Sequence, residues 1–170
     1  QRHGLLFRDC QRLVNQDRNV FAACMVDQGD ADAMVSGLTR NYFEVMHDIT
    51  RVIDPCPGKS VLGLTIMVAQ GRTVFITDSA VNVLPDAQQL ADSAIQAAAK
   101  VRQLGQEPRV AMLSFSNFGN PTPDRTQVMR DAVAILDQAN VSFEYEGEMS
   151  AEVALDYRLQ HRLFPFTRLS

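Results

Sequence analysis

The sequence predicts an α/β fold, a three-layer α/β/α sandwich built around a mixed sheet. Short apolar segments typical of buried strands alternate with amphipathic helical segments along most of the chain, which is the pattern of a sheet covered by helices. A Gln70-Gly71 pair separates two of the apolar segments, as in a tight hairpin. A hairpin makes its strands antiparallel, so the sheet should be mixed. The 170 residues suffice for one core, and we expect residues 1–170 to form a single domain.

The first third of the chain is predicted to be mainly helical. Apolar residues at spacings of three and four favour a helix over Leu5 to Val26, in two segments, with Gly29 as its stop. The stretch ADAMVSG, Ala31 to Gly37, predicts a short strand that ends in a glycine turn. A second amphipathic helix is predicted from Asn41 to Ile53.

Strands and helices alternate in the rest of the chain. The stretch from Ser60 to Val81 predicts two strands that flank the Gln70-Gly71 turn. An alanine-rich helix is predicted to begin at Pro85 and Asp86 and to end at Gly105. The remaining predicted elements are a strand over 110–113, a helix over 124–139, a strand over 141–149, a short helix from 150 and an irregular end over 164–170.

Composition narrows the classes of partner. Sixteen basic residues stand against 20 acidic ones, for a formal net charge of -4, which disfavours nucleic acid because a polyanion requires a basic surface. The apolar runs are too short to cross a bilayer, so we expect no membrane partner. Cys10, Cys24 and Cys56 form no C-x-x-C pair, which favours free thiols in a cytoplasmic protein. The scattered histidines predict no metal site.

A serine-rich loop, residues 114–122, follows the predicted strand at 110–113. Hydroxyl groups and backbone N–H groups ahead of a helix suit an anion, because a helix N-terminus carries partial positive charge. Arg125 and Arg130 would add further positive charge. The loop holds no lysine, so it does not match a P-loop.

The alternative interpretation of this loop is a plain turn. Ser114 and Ser116 would then satisfy the backbone of the turn, and Thr122 or Asp124 would cap the following helix. The spacing of the residues leaves both interpretations open.

A second candidate, VSGLTRNY, places Arg40 after the predicted strand at 31–37. The carboxyl ends of strands are where α/β folds bind ligands. Alternatively, Thr39 or Asn41 caps the next helix and Arg40 is solvated. A third candidate, Asp78 and Ser79, is either part of the same cleft or a hydrogen-bonded turn.

A fourth candidate is the carboxylate pair Glu146 and Glu148, two residues apart in a predicted strand. Such a pair either performs acid–base chemistry or forms a solvated or salt-bridged edge. The sequence contains neither G-x-S-x-G nor G-x-G-x-x-G, so it predicts no serine nucleophile elbow and no nicotinamide site.

Several stretches together resemble the phosphotransacetylase family: GDADAMVSGLTRNY, GRTVFITDSAV, EPRVAMLSFSNFGNP and YEGEMSAEVAL. They stand in the family's order and at similar spacing, so the resemblance covers nearly the whole chain. RDCQRLVNQDRNVFAACMV, the Arg-Asn-Tyr at 40–42 and FPFTRLS more closely resemble hybrid malic enzymes of bacteria. In those, a malic enzyme region precedes a phosphotransacetylase-like C-terminal region.

The resemblance implies a phosphate acetyltransferase/isocitrate-dehydrogenase-like fold, with residues 1–170 as its second subdomain. Because the chain lacks an initial methionine and ends abruptly, we expect an excised fragment. The family binds acyl-CoA and phosphate in a cleft between two subdomains. The residues that the resemblance places along that cleft are Ser114, Ser116 and Gly119, with Gly37, Thr39 and Arg40 nearby.

Two departures from the family argue against chemistry in this chain. Phosphotransacetylases tend to carry STKGS where this sequence has SNFGN, so Phe118 replaces a lysine. The family's catalytic Asn-Asp-Leu-Ser-Arg-Gly segment would lie beyond Ser170. The resemblance therefore implies no catalytic residue among these 170.

By the same resemblance, the chain is a regulatory region that binds acetyl-CoA and forms a homodimer or higher homo-oligomer. The alanine-rich helix from Ala87 to Val101 is expected to form a dimer contact. The parent would oxidatively decarboxylate malate to pyruvate, with NADP or NAD and Mg²⁺ or Mn²⁺ bound outside this chain. The alternative is part of an active phosphate acetyltransferase, which moves acetyl between CoA and phosphate.

Overall fold

A computed structural model describes residues 4–77, 81, 84–121 and 126–169. The chain forms two compact units, Gln1–Lys59 (unit 1) and Ser60–Ser170 (unit 2). The organisation of residues 1–170 as one domain stays a prediction. Among the described residues, no helix combines the length and the apolar character needed to cross a bilayer.

Unit 1 contains three helices in its described residues: α1 (Phe7–Gln16), α2 (Arg18–Gln28) and α3 (Tyr42–Thr50). Asp17 separates the first two helices and caps α2, because its Oδ1 accepts the backbone N–H groups of Asn19 and Val20 at 2.8 and 3.2 Å. Gly29 ends α2 in the left-handed conformation, with φ 81°. The predicted division of the first helix and its stop at Gly29 are both confirmed.

The predicted strand at 31–37 is wrong. That segment is irregular, and Val35 is fully exposed to solvent. A strand requires a partner for its backbone groups, and the described part of unit 1 offers only helices. The following helix is confirmed: Asn41 caps α3 by accepting the N–H of Glu44 at 2.9 Å.

Unit 2 contains four strands and four helices in its described residues. They are β1 (Leu64–Ala69), β2 (Arg72–Thr77), α4 (Ala87–Gln103), β3 (Arg109–Leu113), α5 (Gln127–Ala139), β4 (Glu144–Met149), α6 (Ala151–Leu155) and α7 (Tyr157–Leu163). All but α7 were predicted. The helix α7 follows directly on Asp156, which caps it by accepting the N–H of Leu159 at 3.0 Å.

The strands of unit 2 pair in two ways. Strands β1 and β2 are antiparallel, and Gln70 and Gly71 between them have φ of 51° and 74°, as a tight hairpin turn requires. Strands β3 and β4 are parallel, with α5 as the connection. The α/β class is confirmed. However, the described strands form two separate two-stranded sheets where one mixed sheet was predicted.

The main core of unit 2 lies between α4, β3 and α5. Asp86 begins α4 with a capping box, in which it exchanges hydrogen bonds with Gln89 at 2.8 and 3.0 Å. The buried side chains of this core are Leu90, Ala91, Ala94, Ala98, Met112, Ala132, Val133, Leu136 and Phe143. The small residues Ala91, Ala94 and Ala98 of α4 pack in this core, and the predicted dimer contact through α4 stays a prediction.

Candidate functional site

Of the predicted site residues of unit 1, Arg40 lies at the centre of a polar network. Its Nη1 donates to Oδ2 of Asp17 at 2.6 Å and to Oδ2 of Asp48 at 2.9 Å. Asp48 is buried and also accepts a hydrogen bond from the side chain of Asn19 at 3.1 Å. The hydroxyl of Ser36 donates to the side-chain Oδ1 of Asn19 at 2.8 Å. Two carboxylates therefore surround one guanidinium.

The pairing of Arg40 with Asp17 shifts the pKa of both groups. The hydrogen bond from Arg40 holds the pKa of the Asp17 carboxyl below its usual range, and the same bond raises the pKa of Arg40. Arg40 is thus paired with two carboxylates while about a third of its side chain is exposed, and its part in ligand binding stays a prediction. Thr39 accepts a hydrogen bond from Arg18, and the Gly37 carbonyl accepts the N–H of Thr39 at 2.8 Å.

The serine loop of unit 2, residues 114–120, is fastened to the end of β4. The backbone N–H of Ser114 donates to the carbonyl of Met149 at 2.9 Å, and that of Phe118 donates to the carbonyl of Glu148 at 2.8 Å. The side chain of Asn117 adds a third bond, because its Oδ1 accepts the N–H of Ser150 at 2.8 Å.

The carboxylate of Glu148 lies at the centre of this loop and is fully buried. It accepts hydrogen bonds from the hydroxyl of Ser116 and, at 3.0 Å, from the backbone N–H of Gly119. Nη1 of Arg130 donates to both carboxylate oxygens at 3.0 Å. The hydroxyl, the backbone N–H and the guanidinium that suit an anion therefore all meet on one internal anion.

The structure thus brings two of the predicted site residues, Ser116 and Gly119, onto the same group. Ser116 is itself fully buried, whereas Ser114 is half-buried and its Oγ accepts the N–H of Ser116 at 3.4 Å. Arg130, predicted to add charge to the loop, is paired with Glu148. Five further residues that the sequence singled out lie outside the described residues: Asp78, Ser79, Thr122, Asp124 and Arg125.

The carboxylates of Glu146 and Glu148 have separate partners. Glu146 is buried and accepts hydrogen bonds from the Nε and the backbone N–H of Arg168 at 3.2 and 3.1 Å. Glu148 is held by Arg130. The salt-bridged interpretation of this pair is confirmed, but both carboxylates are buried, so neither is a solvated edge.

Arg168 also joins the end of the chain to α5 and β4. Its Nη1 donates to Asp137 at 2.6 Å, and its guanidinium carbon lies 4.9 Å from the ring centroid of Tyr145. Tyr145 donates to the same Asp137 oxygen at 2.6 Å. The hydrogen bonds from Tyr145 and Arg168 lower the pKa of Asp137, and desolvation followed by the bond to Asp137 raises the pKa of Tyr145.

Phe118, at the position where the resemblance would place a lysine, lies in an aromatic cluster. Its ring centroid is 4.8 Å from that of Phe164 and 5.0 Å from that of Phe166. Its backbone is in the left-handed region, with φ 49°. A lysine at position 118 would bring a charged ammonium group to a side chain that packs against aromatic rings. The side chain at position 118 therefore contributes packing to the loop.

Sequence reasoning missed Asp17 and Asp48, which are the partners of Arg40, and Arg168, which is the partner of Glu146. Asp17 carried a signal, because an aspartate between two helical segments is a common N-cap. Asp48 and Arg168 carried none, because each reaches its partner through the fold rather than through local spacing.

The comparison with known proteins places this geometry in a family. A profile described as "Phosphate acetyl/butaryl transferase" matches residues 1–170. An NADP-dependent malic enzyme of Rhizobium meliloti (strain 1021) is 54% identical over 170 residues, which are 100% of this chain and 22% of the relative. A phosphate acetyltransferase of Bacillus subtilis (strain 168) is 32% identical over 155 residues, 91% of this chain and 48% of the relative.

A solved structure with a similar fold also matches this chain. A phosphotransacetylase from Streptococcus pyogenes matches with a TM-score of 0.77 at 26% identity, covering 89% of this chain and 47% of that one. The chain thus spans about a fifth of the malic enzyme and about half of the phosphotransacetylases that it matches. The resemblance to the phosphotransacetylase-like region of bacterial malic enzymes is confirmed. Because the family profile covers every residue, the chain belongs to the phosphate acetyl/butaryl transferase family.

Proposed function

We propose that this chain is a regulatory and oligomerisation region of a cytoplasmic malic enzyme and that it senses acetyl-CoA. The observation that supports a malic enzyme as the parent protein is the 54% identity, over all 170 residues, to an NADP-dependent malic enzyme. Such a parent decarboxylates malate oxidatively to pyruvate. The region acts as a homodimer or higher homo-oligomer, in which the effector binds one state more tightly than the other.

The charges of the described residues support binding without catalysis. Acyl transfer to phosphate requires positive groups aimed at the developing charge. Arg40 is paired with two aspartates, and Arg130 is paired with Glu148. Phe118 supplies a ring at the position where the family tends to have a cation. This region therefore recognises a ligand and leaves it unchanged.

The loop offers one hydroxyl to such a ligand. Ser116 and the N–H of Gly119 are bonded to Glu148, while Ser114 is half-buried. In the proposal, Ser114 contacts the phosphate-bearing part of acetyl-CoA. Of the predicted wall residues of unit 1, Gly37, Thr39 and Arg40, the arginine is the one whose charge is already balanced.

In the proposal, the cofactors of the parent bind outside this chain. The described residues contain no group of three or more His, Cys, Asp or Glu side chains placed to hold a metal ion. The sequence has no glycine-rich dinucleotide fingerprint. The proposal places NADP and Mg²⁺ or Mn²⁺ in a malic enzyme region of the parent, as the identity to an NADP-dependent malic enzyme suggests.

Calorimetric titration with acetyl-CoA tests the regulatory proposal. The intact protein should give a saturable heat, and acetyl-CoA should reduce malate-dependent reduction of NADP. Ser114→Ala should weaken both effects, whereas Ser142→Ala, which removes a hydroxyl bonded to Arg102, should change neither. Absence of heat together with unchanged malate decarboxylation would overturn the effector role.

A second candidate function is part of an active phosphate acetyltransferase. It is favoured by the 32% identity to the Bacillus subtilis phosphate acetyltransferase over 91% of this chain. Release of CoA from acetyl-CoA that depends on phosphate would establish this activity. Absence of turnover in both directions, with acetyl phosphate and CoA as the reverse substrates, would remove it.

A further inference from the structure

The buried carboxylate of Glu148 accepts hydrogen bonds from Ser116, Gly119 and Arg130, which are donors that suit an anion. We propose that Glu148 is an internal anion, a positioning residue whose charge, more than its volume, holds residues 114–119 in place. Once this carboxylate is removed, its donors form a binding site for a small carboxylate such as acetate.

The first argument is the number and kind of the donors. Glu148 accepts a hydroxyl from Ser116, a backbone N–H from Gly119, and Nη1 of Arg130 on both of its oxygens. One of the donors is charged, so the bonds are of the stronger, charge-assisted kind. No water molecule could supply the negative charge that this set of donors faces.

The second argument is burial. Ser116 and Glu148 are both fully buried, and about a quarter of the Arg130 side chain is exposed. Buried donors that lose their acceptor carry the full cost of desolvation. If the carboxylate is deleted, the donors therefore either recruit another anion or release the loop.

The third argument is one of shape. Replacement of Glu148 by alanine keeps Cβ and removes Cγ with the carboxylate, and these atoms together have the size of acetate. The space and the donors therefore match acetate, whereas a neutral amide of the same size leaves Arg130 without a negative partner. The inference goes beyond the proposed function and does not depend on acetyl-CoA.

Hydrogen–deuterium exchange with mass spectrometry, on peptides that cover residues 113–121, tests the proposal. In Glu148→Ala, exchange at the loop should become faster by about tenfold in sodium chloride, because the Gly119 amide loses its acceptor. Sodium acetate at the same ionic strength should restore slow exchange in a saturable way. Acetamide should not restore it.

Glu146→Ala is the matched control. It deletes a second buried carboxylate from the same strand, one that is bonded to Arg168 and not to the loop. Acetate should leave exchange at residues 113–121 unchanged in this variant and in the unsubstituted protein. Glu148→Gln keeps the volume and removes the charge, so its loop should also exchange faster than that of the unsubstituted protein.

Three results would overturn the proposal. They are equal rescue of Glu148→Ala by acetate and acetamide, an equal effect of acetate on the unsubstituted protein, or unchanged loop exchange in Glu148→Gln. If Glu148→Ala folds only when acetate is present, the proposal is supported. If it stays unfolded in both salts, the proposal fails. Titration with acetyl-CoA reads the proposed function separately, and a negative result there does not bear on this site.

Discussion

Phe118 and Phe164 pack with their ring centroids 4.8 Å apart, so the serine loop and the segment after α7 share one aromatic contact. Phe166 adds a second, edge-on ring at 5.0 Å from Phe118. These rings lie beside a smaller buried cluster of Met149, Val153 and Leu169. The irregular end of unit 2 is therefore held by side-chain packing in place of regular secondary structure.

Phe118→Ala should lower the free energy of unfolding by about 2 kcal/mol, because a half-buried ring and its aromatic contacts are lost. The measurement is urea unfolding followed by circular dichroism. Phe115→Ala removes a more exposed ring from the same loop and should cost less than about 0.5 kcal/mol. Equal losses for the two variants would show that the aromatic cluster does not stabilise the loop.

Arg168→Met should destabilise the protein by about 1–3 kcal/mol, because it leaves the buried Glu146 carboxylate without its positive partner. The lower end of this range reflects that about half of the Arg168 side chain is exposed to solvent. Urea midpoints measure the change. Arg162→Met, on the exposed side of α7, is the control, and a loss as large as that of Arg168→Met would contradict the prediction.

Because the pKa of Asp17 is lowered on folding, the free energy of unfolding should depend on pH. The pKa of this carboxyl is lower in the folded chain than in the unfolded chain, chiefly through the hydrogen bond from Arg40. Its stabilising contribution is therefore complete above the unfolded value, about pH 4, and is lost as the pH falls through the folded value.

Asp17→Asn keeps a good N-cap but removes the charge. The variant should be less stable than the parent chain at pH 7 and should lose less stability on acidification below about pH 4. Arg40→Met removes the cause of the shift and should show the same reduced acid dependence. Thermal unfolding at a series of pH values measures both, and an unchanged acid slope in both variants would refute the assignment.

Gly147→Ala should lower the free energy of unfolding by about 2–3 kcal/mol through overpacking. A Cβ at position 147 would lie 2.7 Å from the Cβ and the carbonyl oxygen of Met112, its partner on β3. Backbone atoms cannot move aside without opening the parallel pair, so the strands must separate locally. Denaturant unfolding provides the measurement, and a neutral substitution would mean that the β3–β4 pairing tolerates a side chain there.

The elements that could be predicted from the sequence are those with local causes. The helix α4 begins at a capping aspartate and ends before Gly105, and the hairpin turns on Gln70 and Gly71. The strand predicted at 31–37 failed because a strand depends on a partner, which local pattern does not reveal. Unit 1 supplies only helices to that segment in its described residues.

The candidate site residues likewise differ in how far the sequence alone predicts their contacts. The sequence predicted that Arg40, Arg130 and Glu148 are charged residues of candidate sites. It did not predict which residues they pair with. Arg40 reaches Asp17 across 23 residues of sequence, and Glu148 reaches Arg130 across 18. Each of these charged groups therefore has a partner of opposite charge, and only the fold determines which charges meet.

The distance along the chain between Ser116 and Glu148 has a consequence for biosynthesis. The acceptor of the loop lies 32 residues after the serine that donates to it. A ribosome therefore completes the loop, the crossover helix and most of β4 before the internal anion is available. The Ser116 hydroxyl and the Gly119 amide can therefore make these bonds only once β4 has been synthesised.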